Sequence, residues 1–223
     1  MNTLSIVIPT LNASRYISDT LMSLDDGPQM EVVVVDGGSR DKSRRVAEVY
    51  GARVIEAERG RGTQLRTGAD AAAGEWMLFL HADTRLGAGW RRAVRDHIAA
   101  GRTDLAGVFQ FALDDDRPKA ERLERMVQWR TRRLGLAYGD QGLLIHRDLY
   151  NKVGGYRPIP LMEDVSLIRR IGKRRTKILP AAAITSATKF MRQGYRRRSL
   201  RNLFCLIMYF CGIPPRWIAK VYG

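Results

Sequence analysis

The stretch "LFLHADTR" (78–85) carries three apolar residues straight into His81 and Asp83. An imidazole and a carboxylate two residues apart at a strand tip can hold a divalent cation that also bridges a diphosphate, with Mn²⁺ or Mg²⁺ the fitting ions. The plain alternative is a packed histidine beside a turn-capping aspartate. Other residues share this double reading. Asp36 precedes Gly37 and Gly38 at the end of "MEVVVVDGG", a place for a turn acid or for a ligand that must approach backbone closely. Arg59, Arg61 and Gly62 interleave guanidinium groups with glycine, which suits contacts to phosphate as well as a solvated charge run. Glu163-Asp164 opens an apolar-periodic segment, where acids favour the helix dipole. Gly139, Asp140 and Gln141 lie in "YGDQG", which has the composition of a tight turn.

Strands and helices must bring these residues together. "LSIVIPT" (4–10), "MEVVVVD" (30–36), "ARVIEA" (52–57) and "EWMLFLHAD" (75–83) read as continuous apolar strands. Helical patterns over 14–24, with Ser14 as its cap, 41–51, opening at Asp41, and 62–74 separate them. Strands that alternate with helices and are apolar on both sides predict a parallel sheet covered on both faces. Ligands of such sheets sit beyond the carboxyl ends of the strands, where strand order reverses. Pro9-Thr10, Asp36-Gly37, the 56–62 loop and His81-Ala82-Asp83 all fall at that rim. Further on, 90–100 reads as a helix and 105–113 as a strand. Residues 119–135 read as a basic amphipathic helix with Leu123, Met126, Val127 and the Arg130 stem inward. Then 138–156 reads as loop, strand, helix and turn, and 161–174 as a helix. Trp76 is expected in the core, Trp129 and Trp217 at a ligand or lipid surface, and His97 and His146 at the surface.

A chain of 223 residues with 45% hydrophobic content suffices for one well-cored domain. We divide it into a nucleotide-binding half (1–85), an acceptor half (86–190) and a basic, apolar C-terminal segment (191–223). The net charge of +15 calls for anionic company: phosphorylated small molecules, an anionic membrane or nucleic acid. Cys205 and Cys211 make neither a disulfide framework nor a zinc site, and the start "MNTLSIVIPT" lacks a basic leader, so a cytoplasmic setting is expected. The apolar run 203–213 is short of the roughly 20 residues a spanning helix needs. It follows the basic "RQGYRRRSLR". Residues 192–217 therefore either lie on an anionic membrane surface or pack on the core, and burial of Phe204, Met208 and Tyr209 would favour the second.

Taken in order, "IVIPTLNASRYISDTLMSL", "EVVVVDGGSRDKS", "RGRGTQLRTGADAAAGEWMLFLHADTRL", "YGDQG" and "PLMEDVSL" resemble the family-2 glycosyltransferases, inverting nucleotide-sugar enzymes of the GT-A fold. "ERGRG", "FLHADT", "YGDQG" and "PLMEDV" are similar to a subgroup of small bacterial members. The resemblance implies an α/β Rossmann-like mixed sheet flanked by helices and a nucleoside diphosphate sugar donor, expected to be of the uridine type, with Mn²⁺ or Mg²⁺ as cofactor. It assigns nucleotide contacts to Pro9, Thr10, Asp36, Gly37, Arg59, Arg61, Gly62 and Ala82. It assigns metal contact to Asp83, with His81 standing where the family's first acid falls. Asp164 becomes the general base, beside Glu163. Gly139, Asp140, Gln141, Lys189 and Arg192 go to the acceptor and diphosphate. The acceptor stays open, and nucleic acid is not an expected partner. Two rivals remain: a nucleotidyltransferase of related fold, though "PTLNASRY" lacks that group's Gly-rich opening, and a basic membrane- or nucleic-acid-binding protein without catalysis.

Overall fold

The structure is a computed structural model that describes residues 4–24 and 30–222. Residues 1–3 of the start read above as leaderless lie outside them. The first half is built of β1 (Leu4–Thr10), α1 (Ile17–Leu24), β2 (Met30–Asp36), α2 (Ser43–Val49), β3 (Arg53–Glu56), α3 (Arg61–Ala71) and β4 (Trp76–Phe79). The second half holds β5 (Thr84–Leu86), α4 (Trp90–Ala99), β6 (Ala106–Leu113), α5 (Pro118–Leu134), β7 (Leu143–His146), α6 (Arg147–Lys152), α7 (Glu163–Ile171) and β8 (Thr176–Thr185). Three helices close the chain: α8 (Thr188–Gln193), α9 (Tyr195–Phe210) and α10 (Pro215–Tyr222).

One sheet runs β3-β2-β1-β4-β7-β6-β8-β5. β1 to β4 are mutually parallel, as their unbroken apolar runs predict, and β7 then enters antiparallel to both β4 and β6. From β1 the chain moves outward through β2 and β3, then returns to the other side of β1 as β4. Strand order therefore reverses between β1 and β4, and the crevice beyond their carboxyl ends is the expected ligand position.

Both sheet faces are buried. Ile6, Ile8, Val34 and Leu78 pack with Ile17 and Leu21 of α1 and with Trp90 and Val94 of α4. On the other face Val7, Val33, Val35 and Met77 meet Leu65 and Ala69 of α3 and Leu167 and Ile168 of α7. The small residues of α3 have a packing cause: a Cβ on Gly68 would collide with the side chains of Val7 and Val35. That helix lies close on the sheet because glycine lets it.

Several elements depart from the sequence reading. α1 starts at Ile17, because the Ser14 N–H donates to Asp41 Oδ2 (3.0 Å) and the chain turns there instead of capping a helix. The strand expected over 75–83 ends at Phe79, so His81, Ala82 and Asp83 belong to the turn after it, closed by Thr84 N–H on the His81 carbonyl (3.1 Å). Met126 of α5 is exposed, whereas Leu123 and Val127 are buried as expected. His97 is buried, not superficial: its ring meets Trp76 edge-on at 5.5 Å and its Nε2 lies 3.3 Å from the Leu105 carbonyl. His146 packs on the same indole at 5.2 Å and accepts the Asp148 N–H through Nδ1. β5 and β8 form an unforeseen antiparallel pair at the sheet edge. For the C-terminal segment, Phe204 is exposed while Met208 and Tyr209 are half-buried, so α9 packs by one stripe only. That stripe includes Cys205, which with Ile218 of α10 is buried against Leu161, Met162 and Val165. Among the described residues no helix is long and apolar enough to cross a membrane.

Candidate active site

At the ends of β1 and β2 the chain is fixed by a side chain. Gln64 on α3 donates Nε2 to the carbonyls of Thr10 and Val35, both at 2.8 Å. Gly37 is glycine because a Cβ there would sit 2.9 Å from Gln64 Cδ. Thr10 is buried and its carbonyl also accepts the Gly37 N–H at 2.9 Å. Asp36 is buried as well; its Oδ2 accepts the N–H groups of Gly38 (3.1 Å) and Ser39 (2.9 Å), while Oδ1 is buried with no protein partner. A buried acceptor left open is costly unless something donates to it. A donor N–H or O–H there would satisfy it. Pro9 is buried one residue earlier in β1.

Beyond β4 the turn His81-Ala82-Asp83 is held from two sides. Ala82 is buried and its carbonyl accepts Thr20 Oγ1 at 2.9 Å. Asp83 Oδ2 lies 3.0 Å from Lys189 Nζ of α8. The His81 ring fills the space left by the absent side chain of Gly139, since a Cβ there would collide with the imidazole. Asp164 reaches the same place from α7: its Oδ2 accepts the Gly139 N–H at 2.8 Å, and its Oδ1 accepts the Val165 N–H at 2.7 Å. The turns after β4, before β7 and before α7 thus share one rim. Glu163 points the other way. It is fully buried and ion-paired with Arg61 at the start of α3, so it fixes α7 against α3.

The electrostatics follow from this crowding. Burial, followed by the positive field of Arg61, pushes the His81 imidazole down to about 4, so it is neutral at pH 7. Burial would raise Asp83, but Lys189 and His81 outweigh it and hold its carboxyl below the usual range. Asp140 is pushed up to about 6 by burial, against the pull of Arg130 and with help from the charges of Asp164 and Asp83; its Oδ1 is buried without a partner. Burial also raises Glu163, although Arg61 opposes it.

Among the described residues no three His, Cys, Asp or Glu side chains are grouped so as to enclose an ion. The donors nonetheless suit a hard divalent cation that keeps most of its coordination for diphosphate oxygens and water: an ionised Asp83, a neutral His81 and an unpartnered Asp140 oxygen. The residues present fit Mn²⁺ or Mg²⁺.

Not every expected residue faces this rim. Gln141 is buried and both ends of its amide are engaged, Nε2 on the Phe109 carbonyl (3.0 Å) and Oε1 on Thr131 Oγ1 (3.0 Å), so it braces the 139–141 turn. Gly62 is where segment 157–159 crosses α3; a Cβ there would collide with the Arg157 carbonyl. Arg59 and Arg192 are exposed and take no part in the bonds described above. Gln64 had escaped the sequence reading, because a glutamine in a small-residue helix carries no distinguishing pattern. Arg130 and Tyr138 had escaped it as site residues too: the guanidinium lies 3.6 Å over the phenol ring beside Asp140.

The fold and its acidic strand-tip rim define a GT-A-like α/β protein. The family model for glycosyl transferase family 2 matches residues 5–161, and the chain belongs to that family. A PGL/p-HBAD biosynthesis glycosyltransferase of Mycobacterium bovis (strain BCG / Pasteur 1173P2) is 36% identical over 91 residues, 37% of this chain and 36% of that protein. The chain thus spans about a third of the length of the curated relative it matches. Among solved structures, mannosyltransferase PcManGT from Pyrobaculum calidifontis, in complex with GDP-Man and Mn²⁺, superposes with TM-score 0.66 at 19% identity, covering 98% of this chain and 68% of that one. Glucosyl-3-phosphoglycerate synthase from Mycobacterium tuberculosis, with Mn²⁺, UDP and glucosyl-3-phosphoglycerate, gives TM-score 0.62 at 20% identity over 96% of this chain and 81% of that one. These likenesses establish a shared fold.

Proposed function

We propose that the chain transfers a glycosyl group from a nucleoside diphosphate sugar, of the uridine type, to an acceptor hydroxyl with inversion. One observation carries the reading: Asp164, fixed by the Gly139 N–H, stands at the same rim as the His81-Asp83 turn, and that rim lies beyond the strand-order reversal. In this reaction the acceptor oxygen attacks the anomeric carbon, its proton passes to Asp164, and the carbon–oxygen bond to the diphosphate breaks with the electron pair leaving on the diphosphate. Asp164 suits the base role because its two backbone N–H contacts orient the carboxylate while leaving lone pairs for a proton.

Asp36 Oδ1 is the acceptor for a donor group of the base or ribose, with Thr10 and Gly37 framing it and Gln64 holding the frame rigid. Asp83, with His81, would hold a divalent cation, which when bound neutralises diphosphate charge. Lys189 stands within reach of the same anion, where a cation stabilises charge growing on the leaving group. Residues 1–85 then serve the donor and 86–190 the acceptor. Two free cysteines, one of them exposed, agree with a reducing cytoplasmic setting.

The test is a panel of nucleotide sugars screened by thermal shift with and without Mn²⁺, since a true donor raises the melting temperature through linkage. A uridine diphosphate sugar that stabilises the protein only with Mn²⁺ supports the reading. No shift with any nucleotide sugar would sink it.

A further inference from the structure

We propose that the exposed face of α9 is an in-plane docking site for an anionic lipid bilayer, which goes beyond the glycosyl-transfer reading and does not depend on it. The helix is apolar on two faces: Cys205, Leu206, Met208 and Tyr209 pack against the cluster of Leu161, Met162, Val165 and Ile218. Leu200, Leu203, Phe204 and Ile207, spaced as one stripe, face solvent with exposures from 66% at Leu200 to 51% at Ile207. Two of its arginines are instead engaged by α8 and α10. Arg198 lies over the Phe190 ring at 4.9 Å and bonds Gln193 Oε1 at 3.0 Å; Arg201 lies over Tyr222 at 5.0 Å and bonds the same oxygen at 2.8 Å. A helix on a water-facing surface places its apolar stripe on the core. Here one stripe is on the core and a second, of leucine, phenylalanine and isoleucine, is left to the outside.

Charge selects the occupant. Arg196 and Arg197 are exposed in the first turn of α9, and Arg216 and Lys220 on α10. After Asp164 the chain has fourteen Lys and Arg and no Asp or Glu. A second copy seated on this face would bring the same cations against themselves. An anionic bilayer offers both the apolar phase the stripe requires and the counter-charge its flanks require. At 16 residues α9 is roughly 24 Å long, less than the ~30 Å hydrocarbon thickness, so it lies along the surface. Cys205 and Ile218 pack on Leu161, Met162 and Val165, so the docked face is joined through a packed core to the turn that carries Asp164.

The full-length protein is tested by flotation with vesicles of phosphatidylcholine, and of phosphatidylcholine mixed with phosphatidylglycerol. The wild type is expected to float with the anionic vesicles and to be released as salt rises. Leu203→Glu with Ile207→Glu should weaken partitioning by about tenfold or more while leaving the melting temperature unchanged, because both side chains are already exposed. Arg196→Glu with Arg197→Glu keeps the stripe and should remove the preference for anionic over neutral vesicles. Wild-type protein that stays in solution with anionic vesicles overturns the proposal. So does a folded Leu203→Glu, Ile207→Glu variant that binds as wild type, or light scattering that shows a dimer which this variant dissociates.

Discussion

Asp164 and Glu163 are adjacent acids with opposite environments. Asp164 accepts the Gly139 N–H at the rim, whereas Glu163 is sealed against Arg61. Asp164→Asn keeps the size and the ability to accept from Gly139 but cannot take a proton, so turnover is expected to fall by about 10²–10⁴-fold with donor affinity unchanged. Single-turnover rates beside donor titrations check this; unaltered turnover would remove Asp164 from the base role. Asp83→Ala should instead abolish the Mn²⁺ dependence of donor affinity, read by isothermal titration of the donor with and without the ion. Gln64 is a third case. Gln64→Leu leaves the carbonyls of Thr10 and Val35 without this donor in a buried place, at a cost of about 2 kcal/mol, measurable as a lower urea midpoint with unchanged m-value. Asp36 and Asp83 were legible in the sequence as carboxylates after buried strands, whereas Asp164 stood out only through the family resemblance, because acids at a helix start have an ordinary cause. Gln64 was not, since its meaning lies in carbonyls 54 and 29 residues away along the chain.

At the scale of elements, α3 and α7 are joined at their N-termini by the Arg61–Glu163 pair and by segment 157–159, which crosses Gly62. Removing one partner of a buried pair strands the other charge, a cost typically of 3–5 kcal/mol. Arg61→Ala should fall near about 3 kcal/mol, the low end, because the Arg61 side chain keeps 36% exposure while Glu163 has none. Glu163→Gln should cost less, since the amide oxygen still accepts from the guanidinium. Equal urea midpoints for Arg61→Ala and wild type would show that the pair does not secure these helices. The parallel half of the sheet was readable because strands buried on both faces are continuous apolar runs. β8 was not readable. "TKILPAAAIT" has a proline at its centre and three alanines, and a proline argues against a central strand. The structure accommodates Pro180 at an irregularity: Val108 of β6 pairs with Ile178 but Gln110 with Ala182, so Pro180 lies in the displaced stretch, where the ladder does not require its missing N–H.

For the whole molecule, histidine burial ties stability to pH. His97 is held low by burial and by nearby Lys177, against its bond to the Leu105 carbonyl, and His81 is held down at about 4. Both folded-state values lie below the ordinary 6.5, so below that pH the unfolded chain binds more protons than the folded one. Stability therefore rises with pH through the window between the folded values and 6.5, and levels off above it. Each group contributes a slope of at most about 1.4 kcal/mol per pH unit within its own window. His97→Gln removes one titrating ring, keeps a donor for the Leu105 carbonyl and leaves His81 in place. Urea midpoints of wild type and variant across that window should show a shallower pH dependence in the variant and parallel curves above it. Identical dependence in both would mean that His97 binds its proton equally well in the folded and unfolded chain, which burial beside the edge-on indole and the adjacent lysine oppose.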